Sequence, residues 1–291
     1  MQLAGSIPAL ITPFSNGVYH HATLRSLIQW HIQAGSAALV VCGTTGENPC
    51  LETAEYAQIL TDAVKFAAGK IPIIAGTGAN STSKALTLQL LAENAGANAT
   101  LHVTGYYNKP SQKQIIEHFR ILERSTCLPI IVYNIPGRTG LELSVETVAT
   151  LAELDRVIGI KDSTGDVSRV SLERLKISRS FSFLSGDDAT SLGYLAQGGN
   201  GCISVTANVA PALCSQMIAA ARQGDFTAAR HFHDLLMPLH KALFLEPNPA
   251  GIKYAMSKLG LCSNELRRPL THATEALQLK IDRAMASAGL C

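Results

Sequence analysis

The stretch LPIIVYNIPGRTGLELSVETVATLAELDRVIGIKDSTGD (128–166) opens and closes on short apolar runs, LPIIVYN (128–134) and RVIGIKD (156–162). Between them lies a helix-like segment at about 144–153. A strand that is apolar at every position is buried on both faces, as in a parallel sheet covered by helices. Two parallel strands with a helix between them form a right-handed crossover unit. The same unit repeats outward in both directions. Upstream stand SIPALIT (6–12), AALVVCG (37–43), IPIIAG (71–76) and ATLHVTG (99–105); downstream stand FSFLSG (181–186) and GCISVT (201–206). Helix-like segments fall between them at roughly 22–34, 52–68, 81–94, 111–124, 166–176 and 188–197. Eight such runs predict a closed (β/α)8 barrel of the TIM type over residues 1–224. The alternative, an open doubly wound sheet, is disfavoured because no GxGxxG follows the first run.

Beyond the eighth run the pattern changes. ALCSQMIAAARQGDFTAARHFHDLLMPLHKALF reads as two helices broken at Gln223-Gly224-Asp225. Pro247 and Pro249 end that stretch, and a helix resumes at about 250–259. One helix completes the eighth unit, so residues 225–291 read as a helical appendage.

Composition excludes several classes of function. The chain has 291 residues, 47% hydrophobic and 16% charged, with a net charge of +2. That is too apolar for a disordered chain. The balanced charge leaves no footprint for nucleic acid or a polybasic membrane contact. No apolar run reaches the roughly 18 residues of a spanning helix. MQLAGSIPALITPF lacks a basic region ahead of its apolar stretch, so no signal peptide is expected. Seven widely spaced cysteines without a CxxC argue against a disulfide framework or a zinc ribbon, and point to a reducing cytoplasm. His231 and His233 are two apart, which is wrong for one face of a helix, so no metal pair is read there.

Active sites of such barrels lie at the C-terminal strand ends. Four groups there carry chemistry. Lys161 ends the apolar run VIGIK. Burial disfavours an ammonium, and a neutral amine attacks carbonyl carbon to form a Schiff base; the alternative is a lysine paired with Asp162 or another carboxylate at the rim. Tyr133 ends PIIVY, where a phenol can relay protons or merely cap the core. The loop Gly43-Thr44-Thr45-Gly46-Glu47 offers hydroxyls and amides to a small anion, or is an ordinary turn. Arg138, beside a Pro-Gly turn, can hold a carboxylate bidentately or form a surface ion pair. With no Cys–His or Ser–His pairing and no carboxylate cluster evident, the set favours covalent amine chemistry on a small keto acid.

These motifs have a familiar company. ALITPF, GTTGE (43–47), GTGAN (76–80), YYNKPSQ (106–112), YNIPGRTG (133–140), GIKDSTGD (159–166) and SGDD (185–188) follow in order along nearly the whole chain. In this the chain resembles the dihydrodipicolinate synthase family, within the pyruvate-dependent, class I aldolase-like superfamily that includes N-acetylneuraminate lyase. The resemblance implies a lyase of lysine and diaminopimelate biosynthesis. Lys161 would condense with pyruvate, Tyr133 and Thr44 would relay protons, and Tyr107 would join that relay from a neighbouring subunit. Thr45 would bind the pyruvate carboxylate, and Gly186 and Ile203 would line the pocket through backbone. Arg138 would hold the carboxylate of aspartate 4-semialdehyde; sialic-acid-type lyases usually carry another residue there. No cofactor or metal is implied, and the usual assembly is a homotetramer, a dimer of dimers. Two other readings are another keto-acid aldolase, acting on a sialic or keto-deoxy sugar acid, and a non-catalytic keto-acid-binding protein. At the family's effector site the matching positions are Asn80, Tyr106, Tyr56 and Lys84. Lysine-inhibited relatives place a histidine and an acidic residue around that site, so weak or absent inhibition by lysine is expected.

Overall fold

Strands β1 (Gly5–Pro8), β2 (Phe14–Ser15), β3 (Val18–Tyr19), β4 (Leu39–Val41), β5 (Ile73–Gly76), β6 (Ala99–Val103), β7 (Ile130–Asn134), β8 (Val157–Asp162), β9 (Ser182–Ser185) and β10 (Gly201–Ser204) organise the computed structural model, which describes residues 1–290. Eight of them run parallel in the order β1-β10-β9-β8-β7-β6-β5-β4. The ring is completed by a bridge between Ala9 and Val40 and by backbone hydrogen bonds from Ala37 to Ser6 and from Leu10 to Val40, each 2.8 Å. The chain is therefore a (β/α)8 barrel.

Strand burial explains the apolar runs. In β7, Ile131 and Tyr133 join the barrel interior with Ile7, Val40, Ile74, Leu101, Leu184 and Ile203. Ile130 and Val132 face the other way, onto Phe119, Val148 and Leu151 of the surrounding helices. Both faces are dry, so the pattern never alternates. Each such aliphatic side chain contributes about 1.5–3 kcal/mol on burial.

Helices His21–Gln33, Thr53–Ala67, Thr82–Asn94 and Gln112–Arg124 fall where the sequence predicts them, whereas Pro136–Thr139 and Glu275–Ser287 have no counterpart in the sequence reading. Gln112–Arg124 starts with a capping box, Ser111 and Gln114 each satisfying the other's backbone N–H. Such caps are worth about 1 kcal/mol. The expected break at 223–225 separates Pro211–Arg222 from Phe226–Ala242. Ala250–Lys258 follows, and Glu275–Ser287 is the last described helix. These C-terminal helices share one hydrophobic cluster with the first two βα units: Leu239, Leu243, Ile252 and Leu277 pack with Leu24, Leu27, Ile59 and Leu60.

Three local readings change. The run 6–12 is strand only to Pro8, because Ile11 gives its N–H to Asn208 Oδ1 (3.1 Å) and Thr12 turns its hydroxyl to the Gly46 carbonyl (2.6 Å). The stretch 188–197 starts as a 3-10 turn, Asp188–Thr190, before the helix Ser191–Ala196. The β2–β3 hairpin has no counterpart in the sequence reading, since two residues per strand are too few to show a period. No described helix is long and apolar enough to cross a membrane. The six described cysteines are free.

Candidate active site

Lys161 stands at the end of β8, in register with Tyr133 of β7 and Leu184 of β9. Period-2 alternation separates it from its neighbour Asp162. Asp162 is engaged by Asn134 Nδ2 (2.9 Å), the Thr164 N–H and hydroxyl (3.0 and 2.6 Å) and Arg169 Nε (3.3 Å). The Lys161–Asp162 pair considered from sequence is not made. Lys161 is 6% exposed, and no carboxylate lies within ion-pair distance of its Nζ among the described residues. Its Nζ lies over the Tyr133 ring, 4.1 Å from the centroid. An amine at a buried strand end, unpaired and against a phenol, is poised for carbonyl chemistry.

Gly186, after β9, makes room for that side chain. A Cβ on Gly186 would lie 2.7 Å from Lys161 Cε, 2.9 Å from Cγ and 2.1 Å from Ser163 Oγ. Its N–H is fixed on the Asp162 carbonyl at 2.6 Å. Ile203 is buried in the barrel interior, one residue before the end of β10. The turn beyond it is shaped by Asp188, whose buried carboxylate accepts from Ser204 Oγ (2.5 Å) and from the N–H groups of Val205 (2.9 Å) and Thr206 (3.2 Å).

The 43–47 loop follows β4. Cys42 (φ 55°) and Glu47 (φ 56°), both non-glycine, bracket it in the left-handed region. Such residues cost about 1–3 kcal/mol each and persist only where the surroundings impose them. Asn48 Nδ2 donates to the Cys42 carbonyl (2.7 Å) and the Gly76 carbonyl (2.8 Å), locking the ends of β4 and β5 together. At Gly76 a Cβ would meet the Cys42 carbonyl oxygen at 2.2 Å, so only glycine permits that approach. Glu47 pairs with Lys253 Nζ at 2.5 Å, both side chains fully buried. Thr44 is half-buried; Thr45 is buried, its Oγ1 accepting from Asn248 Nδ2 at 3.0 Å.

Arg138 sits in the helical turn Pro136–Thr139, exposed and without an ion pair among the described residues. Tyr107 lies outside the gathered set: it is 90% exposed, with φ 72°. Asn80 accepts from Asn108 Nδ2 through its carbonyl (2.9 Å), beside half-buried Tyr106. Lys84 is exposed in the first turn of Thr82–Asn94. Tyr56 is buried in the core, its hydroxyl donating to the Gly76 carbonyl at 3.1 Å.

Behind β8 lies a charged cluster that sequence reading did not find. Arg169 bridges Asp162, Glu142 (2.7 Å) and Glu173 (3.0 Å). Burial pushes the Glu173 carboxyl up to about 7, against the pull of Arg169. Its Oε2 and the buried Tyr194 hydroxyl have no hydrogen-bond partner among the described residues. Also missed were Asn248 and Lys253. The only local signal was the proline pair at 247 and 249, which reads simply as a helix stop. No three His, Cys, Asp or Glu side chains gather as metal ligands among the described residues.

Comparison with known proteins agrees with this fold. The model of the Dihydrodipicolinate synthetase family matches residues 2–288. A 4-hydroxy-tetrahydrodipicolinate synthase of Parvibaculum lavamentivorans is 52% identical over 286 residues, covering 98% of each chain. The dihydrodipicolinate synthase structure from Aquifex aeolicus superposes with a TM-score of 0.97 at 43% identity, covering 99% of both chains. A chloride-inhibited dihydrodipicolinate synthase from Acinetobacter baumannii, complexed with pyruvate, gives 0.97 at 40% identity over 99% of both chains. With the motifs, the barrel and these relatives in agreement over almost its full length, the chain belongs to the dihydrodipicolinate synthetase family.

Proposed function

We propose that this protein is a lyase that condenses pyruvate with L-aspartate 4-semialdehyde to give 4-hydroxy-tetrahydrodipicolinate, a step of diaminopimelate and lysine biosynthesis. The observation that carries the reading is Lys161, buried, unpaired and 4.1 Å from the Tyr133 ring centroid. Its amine adds to the C2 carbonyl of pyruvate. Loss of water gives an imine, and loss of a methyl proton gives an enamine. The enamine carbon bonds to the aldehyde carbon of the semialdehyde. The substrate's own amine then displaces Lys161 as the ring closes.

Tyr133 and Thr44 move protons in these steps, Thr45 binds the pyruvate carboxylate, and Gly186 and Ile203 line the pocket. Arg138, exposed and uncommitted, takes the semialdehyde carboxylate as a bidentate partner. In one chain Tyr107 points to solvent, so its part in the relay is taken up in an assembly of copies, for which a homotetramer is our reading. The test is pyruvate plus borohydride followed by mass spectrometry. A stable adduct on Lys161, absent from Lys161→Ala, is expected, with turnover lost and the melting temperature kept in that variant. No adduct on the wild-type protein would leave keto-acid binding without catalysis.

A further inference from the structure

The chain downstream of the barrel returns to the barrel mouth. Asn248 is 6% exposed and donates from Nδ2 to Thr45 Oγ1 at 3.0 Å, across 203 positions of sequence. A hydroxyl has one proton to give and two lone pairs to receive. The Thr45 oxygen is thus an acceptor toward the protein, which leaves its proton for something else. Asn248 Oδ1 is buried and has no hydrogen-bond partner among the described residues, so the amide is held there by its donor side. Five residues on, Lys253 Nζ contacts Glu47 Oε1 at 2.5 Å and donates to the Glu265 carbonyl at 2.7 Å. Glu47 Oε2 accepts the Arg267 N–H at 2.8 Å. A buried ion pair adds little stability over an apolar substitute, so its place at the end of the 43–47 loop is better explained by geometry.

We infer that Asn248 is a positioning residue. By donating to Thr45 Oγ1 it turns the Thr45 proton toward the carboxylate of the keto-acid substrate, on a loop that the Glu47–Lys253 pair holds in place. The inference rests on the Schiff-base reading above and extends it to a residue outside the barrel strands. An aspartate at 248 can only accept, so it would draw the threonine proton away from the substrate.

The experiment compares Asn248→Asp and Asn248→Ala with the wild type, reading KM for each substrate, kcat and melting temperature. Loss of one well-placed hydrogen bond is about tenfold. Pyruvate KM is expected to rise about tenfold in Asn248→Ala and more in Asn248→Asp, with semialdehyde KM within roughly twofold. In a Thr45→Val background, Asn248→Ala should add nothing further to pyruvate KM. An unchanged pyruvate KM in Asn248→Asp overturns the inference, as does a uniform fall of all parameters with the melting temperature. Should the position-248 variants not fold, Thr45→Val against Thr45→Ser decides: pyruvate KM near wild type in Thr45→Val overturns it, and rescue by serine supports it. Borohydride trapping of the wild type separates the two failures, because an adduct with an unmoved KM removes only the role of Asn248.

Discussion

A single methyl group at position 186 should disarm the lysine without touching it. In Gly186→Ala the new Cβ would fall 2.7 Å from Lys161 Cε and 2.1 Å from Ser163 Oγ, where ordinary contacts begin near 3.4 Å. Relief requires a displacement of roughly 1 Å of the lysine stem, the serine or both. Misplacing a reacting group by about 1 Å costs about a hundredfold in rate. Overpacking of this kind costs about 1–3 kcal/mol in stability. At about 2–4 °C per kcal/mol, melting should fall by about 2–12 °C. The assay is the rate of borohydride-trapped imine at saturating pyruvate, followed by mass, beside the melting curve. Gly137→Ala is the control, because a Cβ there meets nothing within 4 Å. A trapping rate in Gly186→Ala within about fivefold of wild type, with the fold intact, would refute the claim that this glycine sets the lysine's path.

Arg138→Ala should raise semialdehyde KM by about ten- to a hundredfold, the value of a charge-assisted pair, while borohydride trapping of pyruvate stays near wild type; equal damage to both would contradict the division of labour. Glu173, raised to about 7 mainly by burial, contributes stability that is fully present below its unfolded range near 4.5 and is lost as pH rises through about 7. Chemical denaturation from pH 4.5 to 7.5 should therefore show Glu173→Gln gaining stability relative to wild type as pH rises, and a constant difference would contradict this. On the effector-site reading, exposed Lys84 would put a cation where an acid would attract an effector ammonium. Half-inhibition of the purified enzyme by lysine is thus expected only above millimolar concentration, and sub-millimolar inhibition would contradict it.

What could be read from residues alone follows from range. Barrel strands are legible because burial on both faces writes itself into consecutive residues, as in β7 and β8. Lys161 stands out because a charge after VIGI is locally incongruous. The choice between a free amine and an Asp162 pair was not legible, since it turns on β8 staying a regular strand through Asp162 and on Arg169 filling the Asp162 side. Asn248 and Lys253 were hidden for a different reason. Their partners Thr45 and Glu47 lie some 200 residues away, and nothing in EPNPAGIKY marks either as part of the mouth. The left-handed backbone at Cys42 and Glu47 was equally silent, because neither residue type advertises it.

The tether from Glu47 to Lys253 and the Arg267 N–H also imposes an order of events on biosynthesis. The threonine loop leaves the ribosome some 200 residues ahead of its anchors. A chain cut short after β10 would keep every barrel strand and still have a carboxylate with neither its ammonium nor its amide partner at the lip of the cup. Stop codons between the end of β10 and Lys253 should therefore abolish activity as completely as earlier ones.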